Sequence, residues 1–177
     1  MKYKQTVLSS EDKEILAEIY TQLESIHIPT TYSSLGMKGH FHAIKTGTTS
    51  QRDARQTSFG ITRYRGRQQQ SKSTLRYPHI MPLFQDFIDS HYHEFNFKSV
   101  YVNRNTIAKK HLDRKNSGES LLVGFGPYIG GKTVLHNQDG TCEKFDINFQ
   151  SIVFNGSDIE HESEAFVGTR YSMVFFK

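Results

Sequence analysis

A chain of 177 residues with 36% hydrophobic, 12% aromatic and 23% charged residues is long enough to bury a core and too apolar to be disordered. A net charge of +4 implies little beyond solubility and a mild preference for anionic partners. One cysteine, Cys142, excludes an internal disulfide, and Met1–Leu8 lacks the apolar core of a signal peptide; a soluble intracellular protein, cytoplasmic or nuclear, monomeric and without membrane contact, is expected.

The first element is a helix starting near Ser9 or Ser10, either of which can cap it, with Glu11 and Asp12 in the turn where the helix dipole favours negative charge. Ile15, Leu16, Ile19, Leu23 and Ile26 recur at helical spacing, and Pro29 ends the pattern. From Thr30 to Thr74 glycines interrupt the sequence. Short strands are predicted at Phe41–Ile44 and Ser58–Thr62, with exposed loops at Thr46–Thr57 and Gly66–Ser73. Between Arg52 and Arg76 the only acid is Asp53, so this segment is strongly basic.

A second helix is predicted from Pro82, carrying Leu83, Phe84, Phe87 and Ile88 on one face and ending near Ser90–His93. The period then changes to two, with Phe95, Phe97, Ser99, Tyr101 and Asn103 on one side and Lys98, Val100, Val102 and Arg104 on the other. Further strands are predicted at 107–110, 120–124, 132–136, 141–147, 151–154 and 169–176, with Asn137–Gly140 as a hairpin turn. The fold class is α+β: one domain over residues 1–177, with helical support and substrate loops in 1–94 and a barrel or sandwich of strands in 95–177.

The residues with chemistry in them sit in the second half. His111 and Asp113, two apart on an extended segment, project to one side and can converge on one ion. His161 follows a strand and a turn, where a barrel rim is expected. Two histidines and a carboxylate that leave other positions open suit a non-haem Fe(II) oxygenase. Arg170 lies in the last apolar strand with Ser172 on its own face, and a guanidinium there requires an anionic partner. Other metal readings are weaker. There is no H-E-x-x-H helix, His91–Tyr92–His93 reads as a surface pair at a helix end, and a site-facing role for His40 and His42 stays open. Gly130-Gly131-Lys132-Thr133 reads as a strand turn rather than a phosphate loop.

The order His111-x-Asp113…His161…Arg170-x-Ser172 resembles the signature of the Fe(II)/2-oxoglutarate-dependent dioxygenases, over about Phe95 to Lys177. The resemblance implies a double-stranded β-helix (jelly-roll, cupin-like) core with N-terminal supporting helices. It also implies Fe(II) held by His111, Asp113 and His161, and 2-oxoglutarate held by Arg170 and Ser172 with Asn103 and Tyr128 beside them, O2 being the other cosubstrate. The blocks Val102–Asn105, His111–Asn116, Gly124–Gly131 and Arg170–Phe176 are similar to small TET/JBP-type enzymes, which oxidise methyl groups of DNA bases. That likeness implies DNA modification, with hydroxylation of the methyl group of a modified pyrimidine. The basic run with its interleaved aromatics, Arg63, Arg65 and Arg67 above all, is then the expected nucleic-acid contact. Two alternatives stand beside it: a hydroxylase of a protein side chain or small metabolite, and a non-catalytic β-barrel binding module.

Overall fold

In the computed structural model of the chain, residues 3–30, 41–43 and 54–177 are described. Strand β1 (Tyr3–Val7) leads into helix α1 (Ser10–Ser25). Ser9 caps α1 reciprocally, its hydroxyl accepting from the Asp12 amide while the Asp12 carboxylate accepts from the Ser9 amide. β2 (Phe41–Ala43), β3 (Arg55–Tyr64) and β4 (Arg67–Gln70) precede two helices, α2 (Lys72–Arg76) and α3 (Ile80–Tyr92). The rest is strand: β5 (Ser99–Arg104), β6 (Thr106–Ala108), β7 (Ser120–Phe125), β8 (Tyr128–Gly130), β9 (Thr133–His136), β10 (Cys142–Phe145), β11 (Gln150–Phe154), β12 (Glu160–Ser163), β13 (Phe166–Gly168) and β14 (Tyr171–Phe176).

Seven strands form one antiparallel sheet in the order β1-β11-β7-β14-β5-β3-β4. Alternation gives this sheet two different faces. Val100, Val102, Leu121, Val123, Met173 and Phe175 pack against Leu16, Ile19 and Leu23 of α1 and Phe84, Phe87 and Ile88 of α3. On the other face Leu122, Ile152 and Phe154 meet Leu135, Phe145 and Ile147 from the smaller sheet β10-β9-β12 and the segment after it. Two short ribbons, β2-β6 and β8-β13, complete this second layer, which makes the jelly roll. The helices therefore support one side of the large sheet, and its other side is left for chemistry.

Several expectations need correction. The first 94 residues supply more than helices and loops, since β1, β3 and β4 belong to the large sheet. Residues 55–57, expected in a loop, begin the ten-residue β3, while residues 46–53, together with His40 and Ile44, lie outside the described residues. The strand expected at Ser58–Thr62 is the middle of β3, with Gly60 at its centre. At φ 88° a Cβ there would come 2.1 Å from the Lys98 carbonyl oxygen, so only glycine fits this step. The segment 66–73, also expected to be a loop, contains β4 and the start of α2. Its turn is the pair Arg65-Gly66, at φ 50° and 78°, a primed hairpin turn without the usual Asn or Asp. α3 starts two residues before Pro82, which lies in the first turn and needs no amide partner there.

His91, expected at the surface, has a side chain only 3% exposed. Its Nδ1–H donates to Asp12 Oδ2 (2.8 Å), which leaves Nε2 to accept from the Ser151 hydroxyl (2.6 Å), and Ser90 donates to Asp12 Oδ1 (2.6 Å). This network locks α1, α3 and β11 together. Burial opposes the charge on Asp12, but hydrogen bonds from Ser90, the Ser9 amide and His91 outweigh it and hold the carboxyl below its ordinary value. Asp12→Ala strands these donors and is expected to cost about 3–5 kcal/mol in denaturant unfolding at neutral pH. A folded-state pKa below the unfolded value near 3.8 gives stability that is present above that pH and lost as the pH falls through the folded value. The gap between wild type and variant should therefore narrow on acidification.

Candidate metal centre and cosubstrate cavity

His111 lies three residues beyond β6 and pairs backbone to backbone with His161 of β12, each amide donating to the other's carbonyl at 3.0 Å. The two rings thus stand side by side, with centroids 4.3 Å apart. Each His Nδ1–H donates to the carbonyl two residues earlier, Lys109 for His111 (2.5 Å) and Ile159 for His161 (2.8 Å). That fixes both tautomers and aims both Nε2 atoms at Asp113, whose Oδ1 and Oδ2 lie 3.4 Å from His111 and His161 respectively. One donor atom from each of the three residues falls within 4.8 Å of the others.

Electrostatics matches the geometry. Burial opposes ionisation of Asp113, yet the two rings, which donate to it from Nε2 when protonated, hold its carboxyl well below the usual carboxylate range by hydrogen bonding and attraction. Burial lowers His111, but the Asp113 hydrogen bond and the Lys109 carbonyl more than compensate and leave its pKa raised. A divalent cation placed between the three would replace the proton that this arrangement attracts. Gly156 makes room for the cluster. Its carbonyl accepts from the Asp113 amide (2.8 Å), and a Cβ at Gly156 would come 3.0 Å from Asp113 Oδ2 and 3.4 Å from His161 Cε1.

These residues line a cavity of about 900 Å³, which Asn103, Arg170 and Ser172 also line. Arg170 immediately precedes β14 and is 3% exposed, with its guanidinium carbon 5.5 Å from the Tyr128 ring centre and 5.7 Å from that of Phe166. Asn105, at φ 54°, clasps it. Its Oδ1 accepts from the Arg170 amide (2.8 Å) and its own amide donates to the Arg170 carbonyl (2.7 Å). One guanidinium nitrogen donates to the Gly131 carbonyl (3.2 Å), but Nε is buried with no partner, and so are Asn103 Oδ1 and the Tyr128 hydroxyl. Burial lowers the pKa of this cation, and no carboxylate among the described residues forms an ion pair with it. A buried cation whose own Nε–H lacks a partner, with the Tyr128 hydroxyl beside it, is suited to an anion.

Register explains the grouping. Asn103 pairs with Ser172 on β14 and with Gln56 on β3, so Gln56, Asn103 and Ser172 form one row across the cavity face, joined by Gly124 of β7. A Cβ at Gly124 would come 2.6 Å from the Tyr128 hydroxyl, and one at Gly131 would come 2.8 Å from Arg170 Nε. The glycines leave space that these polar groups fill. Tyr128 lies beside Arg170, with its hydroxyl against Gly124 of the cavity-face row.

Arg63, Arg65 and Arg67 are placed elsewhere. They are exposed on the β3–β4 hairpin, whereas Gln56 is the β3 residue that lines the cavity. Seven residues of strand, roughly 23 Å at 3.3 Å per residue, separate Gln56 from Arg63. Besides the buried Arg170, the Lys and Arg residues at the cavity are Lys110, Arg114 and Lys115. Asn105, Gly156 and the Lys109 and Ile159 carbonyls carry no pattern that sequence alone would single out.

No family model matches the sequence, and no curated protein matches it. Solved structures do. A 2OG-Fe(II) oxygenase-family oxidoreductase from Burkholderia pseudomallei aligns with TM-score 0.62 at 16% identity, covering 99% of this chain and 83% of that one. NgTET1 in complex with 5mC DNA aligns with TM-score 0.61 at 16% identity, covering 99% and 71%. A Pseudomonas putida prolyl-4-hydroxylase aligns with TM-score 0.59 at 11% identity, covering 99% and 91%. The chain therefore has the double-stranded β-helix fold of the 2-oxoglutarate–Fe(II) oxygenases.

Proposed function

We propose that the protein is an Fe(II)- and 2-oxoglutarate-dependent dioxygenase that hydroxylates a substrate C–H bond. The observation that carries this reading is one cavity that contains both the His111–Asp113–His161 cluster and a buried arginine with no anionic partner among the described residues. The residues fit the implied groups. Two imidazole Nε2 atoms and one carboxylate, with open positions beside them, suit Fe(II). Arg170, helped by Ser172, suits the distal carboxylate of 2-oxoglutarate, and the orphaned Asn103 and Tyr128 atoms offer further polar contacts. Bound Fe(II) supplies O2 activation, through which oxidative decarboxylation of 2-oxoglutarate to succinate and CO2 inserts one oxygen atom into the substrate C–H bond.

The protein's own part is positioning. Lys109 and Ile159 carbonyls fix the histidine tautomers, Gly156 holds Asp113, and Asn105 fixes the backbone of Arg170. Leu122, Phe154 and Val174 give the cavity an apolar wall that limits water.

For the substrate we favour the methyl group of a modified pyrimidine in nucleic acid. Tyr101, 40% exposed on the cavity wall, offers an aromatic face to a base, and NgTET1 is a structural neighbour. Likeness to a prolyl-4-hydroxylase supports a second reading, hydroxylation of a protein side chain. Mass spectrometry of methylated DNA, RNA and peptide pools incubated with Fe(II) and 2-oxoglutarate tests both. A gain of one oxygen in nucleosides is expected, and a gain in peptides alone would replace the first reading with the second.

A further inference from the structure

The cavity mouth is charged unevenly. Of the acids that line it, Asp113 belongs to the metal cluster, Glu160 pairs with Lys110 (3.0 Å) and Glu162 with His136 (2.8 Å). Arg114 and Lys115 line the same mouth, are exposed, and have no ion pair among the described residues.

These two cations are not on a loose loop. They are the corner residues of a turn closed by the Asn116 amide donating to the Asp113 carbonyl (2.9 Å), and the first residue of that turn is itself anchored by its amide to the Gly156 carbonyl (2.8 Å). The same bonds that aim the Asp113 carboxylate therefore set where Arg114 and Lys115 leave the backbone. Tyr101 lines the same cavity, with its ring held against Phe176 (centroids 5.0 Å, planes 20° apart) so that it is braced in place.

We infer that Arg114 and Lys115 form a phosphate-binding rim that grips the backbone of a nucleic-acid strand while a base enters the cavity beside Tyr101. This rests on the dioxygenase reading and adds the site that recognises the substrate. The chemistry selects phosphate, because a guanidinium fork and an ammonium on adjacent residues complement a tetrahedral oxyanion, and an aromatic face in the same cavity as the metal ligands complements a base. The hairpin arginines Arg63, Arg65 and Arg67 do not line the cavity and lie roughly 23 Å of strand from Gln56, so Arg114 and Lys115 are the cations beside an entering base.

The test is fluorescence anisotropy with a short labelled single-stranded oligonucleotide, against an acidic peptide of equal charge, on protein loaded with Co(II) and 2-oxoglutarate. Arg114→Glu combined with Lys115→Glu should weaken oligonucleotide binding at least about 10-fold, and the Gln pair should weaken it less and reduce the salt slope by about 1.4, the value for two phosphate contacts on a single strand. Arg63→Glu, Arg65→Glu and Arg67→Glu together should change affinity less than about 3-fold. Both rim variants should melt like wild type, since the changed side chains are exposed. Oligonucleotide affinity unchanged in the rim variants, a loss confined to the hairpin variant, or stronger binding of the acidic peptide would each overturn the inference. Co(II) and 2-oxoglutarate loading of the wild type, measured in the same samples, separates the two failures: absent loading refutes the dioxygenase reading, whereas normal loading with an indifferent rim refutes only the phosphate site.

Discussion

Arg170→Met should raise the 2-oxoglutarate concentration needed for half-maximal turnover about 100-fold, and should make the ligand-free protein more stable. The first effect follows from losing hydrogen bonds to a charged group, about 3 kcal/mol for a forked contact, in which each 1.4 kcal/mol is a factor of ten. The second follows from the cavity as it stands: Arg170 is buried, its Nε has no partner, and no described carboxylate neutralises it. Exchanging such a cation for an apolar side chain of similar length commonly gains about 1–3 kcal/mol, and for a chain of this size each kcal/mol moves the melting temperature by about 2–4 °C. Thermal melting with and without 2-oxoglutarate checks both statements at once. Wild type should be stabilised by the ligand, by about 2.7 kcal/mol at 100 times the dissociation constant, and the variant should start higher and gain little at the same concentration. A variant that is less stable and responds to 2-oxoglutarate like wild type would mean that Arg170 is a structural cation.

Asp113→Ala should abolish turnover and metal binding together. Loss of a partner that merely supports a metal ligand already costs about 10- to 100-fold in affinity or activity, so removal of the carboxylate itself should exceed about 100-fold. The fold should survive, because both histidines keep their bonds to the Lys109 and Ile159 carbonyls and the His111–His161 backbone pair does not involve the Asp113 side chain. Co(II) titration followed by absorbance reads the metal directly, and circular dichroism confirms the fold.

Much of this arrangement was legible in the sequence, and the parts that were not share a physical cause. Strand β5 alternates between an apolar helix-facing side and a cavity-facing side, so period two exposed it and put Tyr101 and Asn103 together as the structure has them. Phe95 and Phe97, assigned to that side, instead precede β5 and pack in the helix-side core. Arg170 stood out because a guanidinium in an apolar run needs a reason. β12 escaped because its sequence, Glu160-His161-Glu162-Ser163, is polar throughout: it carries a metal-ligand candidate and rim charges instead of core, and so shows no hydrophobic alternation. β8 and β13, three residues each, are too short to display a period, and of the ten-residue β3 only Ser58–Thr62 was legible. Contacts between distant positions are the other blind spot. Asn105 holds Arg170 across 65 residues, and His91 joins Asp12 across 79. Neither spacing leaves a local trace, which is why His91 read as a surface residue. Composition located the basic run in the sequence but could not say that β3 would place Arg63 outside the cavity lining while a turn placed Arg114 in it.

The most direct measurement of the central claim is succinate formation from 2-oxoglutarate by the purified protein in air, with Fe(II) and a reductant, in the presence of pooled methylated oligonucleotides and peptides. The proposed chemistry predicts Fe(II)-dependent succinate from wild type, none from Asp113→Ala, and recovery of Arg170→Met at high 2-oxoglutarate. Wild type that binds metal and 2-oxoglutarate yet forms no succinate above the Asp113→Ala background would contradict it.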